Sequence, residues 1–69
     1  MKIKDIFAQN VRKYRKEKGY SQEEFARICG VHRTYMGLIE GAKTTVSIEI
    51  LQKICDALKV SYNDILSDR

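Results

Sequence analysis

The sequence predicts an all-α fold, a five-helix orthogonal bundle, and two observations support that prediction. Apolar residues recur at helical spacing over nearly the whole chain of 69 residues, which contains no proline. The breaks between these periodic segments coincide with serines and glycines of the kind that begin and end helices. Five short helices with short connections leave no room for a sheet, and we expect residues 1–69 to form a single domain.

The first predicted helix covers about Ile3–Lys18. Its apolar residues form one stripe with a period of about 3.6 residues, and its lysines and arginines occupy the other face. The stripe consists of Ile3, Ile6, Phe7, Val11 and Tyr14. Lys16 and Lys18 suit the negative end of a helix dipole, and Gly19 supplies a stop.

A second helix is predicted to begin after Ser21, because the spacing from Ser21 to Glu24 is that of a capping box. Its apolar side is formed by Phe25, Ala26, Ile28 and Cys29. Gly30 ends it after about two turns, a length that has almost no stability in isolation. We therefore expect neighbouring helices to hold it on both sides.

Three more helices complete the predicted bundle. His32 caps a third helix that runs to about Gly41, with Val31, Ile39 and either Tyr35 or Met36 on its buried side. Ser47 caps a fourth helix, Ile48–Leu58, whose apolar stripe consists of Ile48, Leu51, Ile54, Cys55 and Leu58. Ser61 and Asp64 form a second capping box, which opens a short last helix containing Ile65 and Leu66.

Positive charge is concentrated at the start of the chain. The net charge is +4, and residues 1–18 carry seven lysines and arginines against two acidic residues. Residues 19–46 are balanced, and residues 47–69 are slightly acidic. A basic first helix suits a polyanionic partner, although a solvated face serves solubility equally well.

Composition argues against several classes of protein. Cys29 and Cys55 both fall inside apolar helical patterns, so we interpret them as packing residues and expect no disulfide. With one histidine and no CxxC pair, we expect no metal site, and we expect no cofactor or small-molecule ligand. There is no nucleophile–base pair and no paired carboxylate in a plausible cleft, which argues against an enzyme. No apolar run suggests a membrane span, and free thiols fit a reducing cytoplasm.

The segment 21–40 has the features of two short helices packed around a tight turn. Ala26 lies where the helices would approach most closely, and Gly30 can adopt a positive φ at the reversal. Val31 and Ile39 would anchor the second of these helices to the core. The opposite face of this second helix then points away from the core. The major groove of B-DNA is about 12 Å wide and accepts a helix presented in this way.

The pattern from Val11 to Leu66 resembles the helix-turn-helix family of phage repressors and lambda Cro, which implies a lambda repressor-like DNA-binding domain. The matching residues are Arg12, Arg15, Ser21, Gln22, Phe25, Ala26, Gly30, Val31, Met36, Ile39, Glu40, Ser47, Leu51–Leu58, Val60 and Ser61. Within the family, His32-Arg33-Thr34-Tyr35 and Ile39-Glu40 are most similar to the controller proteins of restriction–modification systems. The loop departs from the usual pattern, because Gly41-Ala42 and Val46 stand where relatives carry Arg or Asn, then Gly, and later proline.

The resemblance implies a role for each matching position. The expected base-reading residues are Arg33, Thr34 and Leu38, and Arg33 would bind guanine through two hydrogen bonds. The expected phosphate-contacting residues are Arg12, Gln22, Tyr35, Lys43, Thr44 and Thr45. Arg15 and Glu40 would form a structural ion pair that fixes the angle of the reading helix.

Several positions on the third helix keep an alternative. Arg33 is either a base reader or a solvated surface residue. Tyr35 suits core packing as well as phosphate contact. Leu38 would meet a thymine methyl or a sugar, or is simply one exposed apolar residue. Gly37 is unfavourable inside a helix, so it indicates a close approach either of DNA or of a neighbouring helix.

The resulting prediction is a homodimeric transcriptional regulator of double-stranded DNA with a partly palindromic operator. Dimerisation would support so small a domain, and the expected interface residues are Val60, Tyr62, Ile65 and Leu66. A phage or plasmid repressor, or an antitoxin, is the alternative within the family. A protein-interaction module on the same fold, such as an antirepressor, is the alternative outside DNA binding.

Overall fold

The computed structural model describes residues 2–68, which form five α-helices and no strand. The helices are α1 (Ile3–Glu17), α2 (Gln22–Cys29), α3 (Arg33–Glu40), α4 (Ile48–Leu58) and α5 (Tyr62–Ile65). The all-α, five-helix prediction is confirmed, and α1 ends one residue before its predicted end. None of the helices in this part of the chain is long and apolar enough to cross a membrane.

Helices α2 to α5 begin where the sequence places capping residues. The Ser21 hydroxyl accepts from the Glu24 backbone N–H at 3.0 Å, and the Glu24 carboxylate accepts from the Ser21 N–H at 3.4 Å. Ser61 and Asp64 form the same reciprocal pair at the start of α5. Ser47 caps α4, and Nδ1 of His32 accepts from the Thr34 N–H at 3.1 Å. These local bonds fix the helix starts because each satisfies a donor with no partner inside its own helix.

One apolar core lies between the five helices. It contains the fully buried side chains Val11, Phe25, Met36, Ile39, Ile54, Leu58 and Ile65, with Phe7, Ala26, Cys29 and Cys55 around them. Met36 therefore takes the buried position on α3 that the sequence left open between Met36 and Tyr35. Because every helix contributes to this core, the short α2 and α5 are held by packing rather than by their own propensity.

The predicted apolar stripes extend beyond the core at their ends. Ile3 opens α1 and is 58% exposed, and Ile48 opens α4 and is 79% exposed. Ile28, assigned to the apolar side of α2, is 47% exposed. The stripe prediction was wrong for these three residues. Apolar residues can recur at helical spacing at the end or edge of a helix where no neighbouring helix covers them.

The last helix is attached to the first through a buried amide. Nδ2 of Asn10 donates to the Ile65 carbonyl at 2.8 Å and to the Ser67 carbonyl at 2.9 Å. Ile65 itself is 0% exposed. Its assignment to a dimer interface was therefore wrong, because the side chain fills the core of its own protomer and presents no surface to a partner.

The turn between α2 and α3 is closed by a left-handed glycine. Gly30 has φ of 73°, and its N–H donates to the Arg27 carbonyl, while the Val31 N–H donates to the Ala26 carbonyl. Ala26 is 1% exposed, which agrees with the close helix contact predicted there. This turn sets the direction in which α3 leaves α2.

The loop after α3 departs from the core and then returns to it. Ala42 adopts a φ of 57°, a left-handed conformation that a glycine would adopt more readily. The Lys43 N–H donates to the Leu38 carbonyl at 2.8 Å, and the Tyr35 hydroxyl donates to the Thr45 carbonyl at 3.2 Å. Val46 packs against the core. The loop path that the sequence left open is thus defined by hydrogen bonds back to α3.

Candidate nucleic-acid interface

Helix α3 has one buried and one exposed face. Met36 and Ile39 are buried, whereas Arg33, Thr34 and Leu38 are exposed. All three expected base-reading residues therefore lie on the outward face of the helix. Arg33 and Thr34 form its first turn, and Leu38, which is 42% exposed, lies one turn further on. A helix presented in this way can enter the major groove with its N-terminal side chains toward the base edges.

An ion pair joins α3 to α1. Nε and Nη2 of Arg15 donate to the two carboxylate oxygens of Glu40 at 2.7 and 2.9 Å. Nη1 of Arg15 donates to the Tyr20 carbonyl at 2.9 Å, so the guanidinium also holds the segment before α2. The Arg15 side chain is 10% exposed and that of Glu40 is 3% exposed. Neither residue is available to a base, which fits the scaffold role expected for this pair.

Gln22 extends this network to the start of α2. Its Nε2 donates to the Glu40 carboxylate at 3.3 Å, while the residue itself remains exposed. A Cβ atom added to Gly37 would lie 3.6 Å from Oε1 of Gln22, which is an ordinary van der Waals distance. The neighbour of Gly37 within the protein is therefore the Gln22 side chain, and this contact alone does not require a glycine.

The other expected phosphate contacts lie on two elements. Arg12 is exposed on α1, and Lys43 and Thr45 are exposed on the loop that follows α3. Thr44 is half-buried, and its hydroxyl donates to the Thr45 carbonyl. Tyr35 is also half-buried, and a phosphate contact would require its hydroxyl to leave the Thr45 carbonyl. The structure thus gives Tyr35 a role in the loop that sequence reasoning missed.

An acidic residue lies beside the first expected base reader. Oε2 of Glu23, in the first turn of α2, accepts from Nη1 of Arg33 at 3.1 Å. The two side chains are 66% and 68% exposed. No sequence pattern indicated this contact, because the nine residues between the partners include a turn whose geometry only the folded chain defines.

Both cysteine thiols are free and buried. Burial raises the pKa of Cys29 to about 11, an effect that the nearby positive charge of Lys53 partly opposes. Burial also raises the pKa of Cys55, and the neighbouring carboxylates of Asp56 and Asp64 add to the shift. Both thiols are thus protonated at neutral pH.

Within residues 2–68, no group of three or more His, Cys, Asp and Glu side chains is placed to hold a metal ion.

Comparison with known proteins agrees with this geometry. Residues 11–65 match the model of a helix-turn-helix family, which spans α2, α3 and most of the supporting helices. The chain belongs to this helix-turn-helix family. As a member, it is a DNA-binding transcriptional regulator of a non-enzymatic family, in agreement with the sequence-based prediction.

Among its relatives within the helix-turn-helix family are control proteins. The chain is 42% identical to the control protein C.SmaI of Serratia marcescens over 67 residues, which cover 97% of this chain and 80% of that protein. It superimposes on the restriction–modification controller protein C.AhdI from Aeromonas hydrophila with a TM-score of 0.84 and 32% identity, covering 90% of this chain and 94% of the other. The resemblance to controller proteins drawn from the residues is confirmed.

A further helix-turn-helix relative has been solved with DNA. This structure is that of SinR, the master regulator for biofilm formation, in complex with DNA; its TM-score is 0.81 at 40% identity, covering 88% of this chain and 98% of the other. The chain spans only 59% of full-length SinR from Bacillus subtilis, to which it is 38% identical. The shared part is thus the helix-turn-helix bundle.

Proposed function

We propose that the protein binds a partly palindromic operator as a homodimer, with α3 of each protomer in a major groove. The observation that carries this proposal is the outward face of α3, where Arg33, Thr34 and Leu38 are exposed while Met36 and Ile39 are buried. Arg33 and Thr34 provide hydrogen bonds to base edges, and Leu38 provides an apolar contact to a thymine methyl or a sugar.

The phosphate contacts would flank this helix. Arg12, Gln22, Lys43 and Thr45 are exposed in the structure, and their side chains provide donors to phosphate oxygens. Gln22 also lies at the first position of α2, where backbone N–H groups favour an anion. Thr44 and Tyr35 contribute less, because their hydroxyls donate within the protein.

Selection of bound sites from random duplex DNA, followed by matched alanine substitutions, tests this assignment. Arg33→Ala should lower affinity for the selected site and relax the preference at one base position, an effect of about 1–3 kcal/mol. Arg12→Ala, which removes the same charge, should weaken binding to every sequence alike and reduce the salt slope by about one unit. If Arg33→Ala kept both affinity and sequence preference, the placement of α3 would be wrong.

A second copy of the chain is the proposed partner along α4 and α5. Tyr62 is 43% exposed, and Val60 and Leu66, close to it in the sequence, are half-buried. One reading helix contacts only a few base pairs, so two half-sites about one helical turn apart would supply the missing selectivity.

Sedimentation at micromolar concentration tests the dimer. The wild-type protein should sediment as a dimer, and Tyr62→Glu should shift it toward monomer because a charge would be buried in an apolar contact. Leu38→Glu is the matched control, since Leu38 is 42% exposed on the outward face of α3, which is not part of the proposed interface, and should leave the dimer intact. A wild-type monomer under these conditions would exclude this interface.

The regulated system is proposed to be a restriction–modification system in a bacterial cytoplasm. Support comes from the similarity to C.SmaI and C.AhdI, whose lengths the chain covers by 80% and 94%. A site selected in vitro should then recur upstream of the chain's own gene, beside genes for a methyltransferase and an endonuclease. Selected sites that lie only at unrelated genes would instead favour a phage-type or plasmid-type repressor.

A further inference from the structure

Glu23 is an acidic side chain on a surface that otherwise suits a polyanion. It contacts Arg33 at 3.1 Å, and both side chains are about two-thirds exposed, so the pair adds little to folding stability. The dipole of α2 favours an acidic residue in the first turn, but Glu24 already provides one as the partner in the capping box. Folding alone therefore gives little reason for a carboxylate beside the first base-reading position.

The contact with Glu23 leaves one edge of the Arg33 guanidinium free. Nη1 is the donor to Glu23, whereas Nε and Nη2 of Arg33 donate to no other group within residues 2–68. Arg15 shows what this edge can bind, because its Nε and Nη2 hold two neighbouring oxygens of Glu40 at 2.7 and 2.9 Å. Guanine presents O6 and N7 as a similar pair of acceptors in the major groove.

The contact also changes how Arg33 responds to phosphates. A free arginine at the DNA surface is attracted to any phosphate, and that attraction carries no sequence information. The carboxylate of Glu23 partly cancels the charge and repels phosphate oxygens. Arg33 held in this way contributes less to the affinity for non-specific DNA, while its hydrogen bonds to guanine are kept.

We propose that Glu23 is a specificity-determining residue, which acts through Arg33 by directing the Nε–Nη2 edge toward a guanine and by reducing non-specific phosphate binding. The inference rests on the proposed function, in which Arg33 reads a base. Glu23 is a positioning residue in this scheme, and it makes no base contact of its own.

The test compares Glu23→Gln with wild type on three duplexes at one salt concentration. The duplexes are the selected site, the same site with the Arg33-dependent guanine pair replaced by an adenine pair, and a scrambled sequence. Glu23→Gln should reduce the preference for guanine by about tenfold and tighten binding to the scrambled duplex several-fold. Glu17→Gln is the matched control, because it removes one negative charge from an exposed position on α1 and should leave the guanine preference unchanged.

An Arg33→Ala background separates the possible outcomes. If Glu23 acts through Arg33, Glu23→Gln should have no effect on the preference in this background; an equal effect in both backgrounds would overturn the inference. A Glu23→Gln protein that keeps the full preference, while Arg33→Ala loses it, overturns the inference alone. If Arg33→Ala itself keeps the preference, the base-reading role of Arg33 and the inference both fail. The circular dichroism spectrum of each variant verifies its fold.

Discussion

Replacing Glu40 by glutamine removes the negative charge from the buried ion pair that joins α1 to α3. The carboxylate accepts two hydrogen bonds from Arg15 and one from Gln22, and the Arg15 side chain is only 10% exposed. The neutral amide of glutamine leaves the Arg15 guanidinium without a counter-charge. It also replaces one of the two oxygens that accept from Arg15 by an NH2 group, which can only donate. Breaking a buried pair in this way typically costs about 3–5 kcal/mol.

That loss is large beside the stability of so small a domain. At about 0.05–0.15 kcal/mol per residue, 69 residues give a free energy of unfolding of about 3–10 kcal/mol. Glu40→Gln should therefore lower the midpoint of thermal unfolding by at least about 12 °C, since about 1 kcal/mol corresponds to 4–8 °C at this size. Urea unfolding followed by circular dichroism, at a fixed protein concentration, measures the loss.

A double-mutant cycle separates the interaction energy of the Arg15–Glu40 pair from the individual contributions of the two residues to stability. Arg15→Met with Glu40→Leu replaces both charges by apolar groups, and the double variant should be within about 1–2 kcal/mol of wild type, far from the sum of the single losses. The exposed pair of Glu23 and Arg33 is the matched control, with an expected coupling below about 1 kcal/mol. The reasoning would be refuted if each single substitution at the buried pair lowered the free energy of unfolding by less than about 1 kcal/mol. It would also be refuted if the loss in the double variant equalled the sum of the two single losses.

Three further predictions concern stability. Lys59→Gly should stabilise the protein by about 0.5–1 kcal/mol in urea unfolding, because Lys59 ends α4 with φ of 58°; a loss would contradict strain there. Asn10→Ala should cost about 1–3 kcal/mol in the same assay, since it leaves the Ile65 and Ser67 carbonyls without their donor; no loss would show that water replaces it. Burial raises the pKa of Cys29 to about 11, so between pH 9 and 11 the thiol ionises in the unfolded protein but not in the folded protein. The contribution of Cys29 to the free energy of unfolding is therefore complete below pH 9 and is lost as the pH rises through this window. Unfolding free energies measured from pH 8 to 11 should fall less steeply for Cys29→Ala than for wild type, and equal slopes would contradict the assignment.

Helix starts were predictable because they depend on neighbours in the sequence. Ser21, Ser47 and Ser61 each accept from a backbone N–H three residues later, so residue type and spacing are sufficient to place them. Gly30 was equally predictable, since a left-handed residue must end α2 before the chain can reverse. The pairing of Arg15 with Glu40 came from the family resemblance, because they lie 25 positions apart in the sequence and no local rule joins them.

What the sequence by itself determined was the set of helices and their outward and inward faces, because caps and apolar periods are local. Only the tertiary structure decided which parts of each face are covered. It buried Ile65 against the core and left Ile48 exposed, although both belong to apolar patterns. It also brought Glu23 to Arg33, because the distance between two helix N-termini depends on the crossing of α2 and α3, which the packing of all five helices fixes.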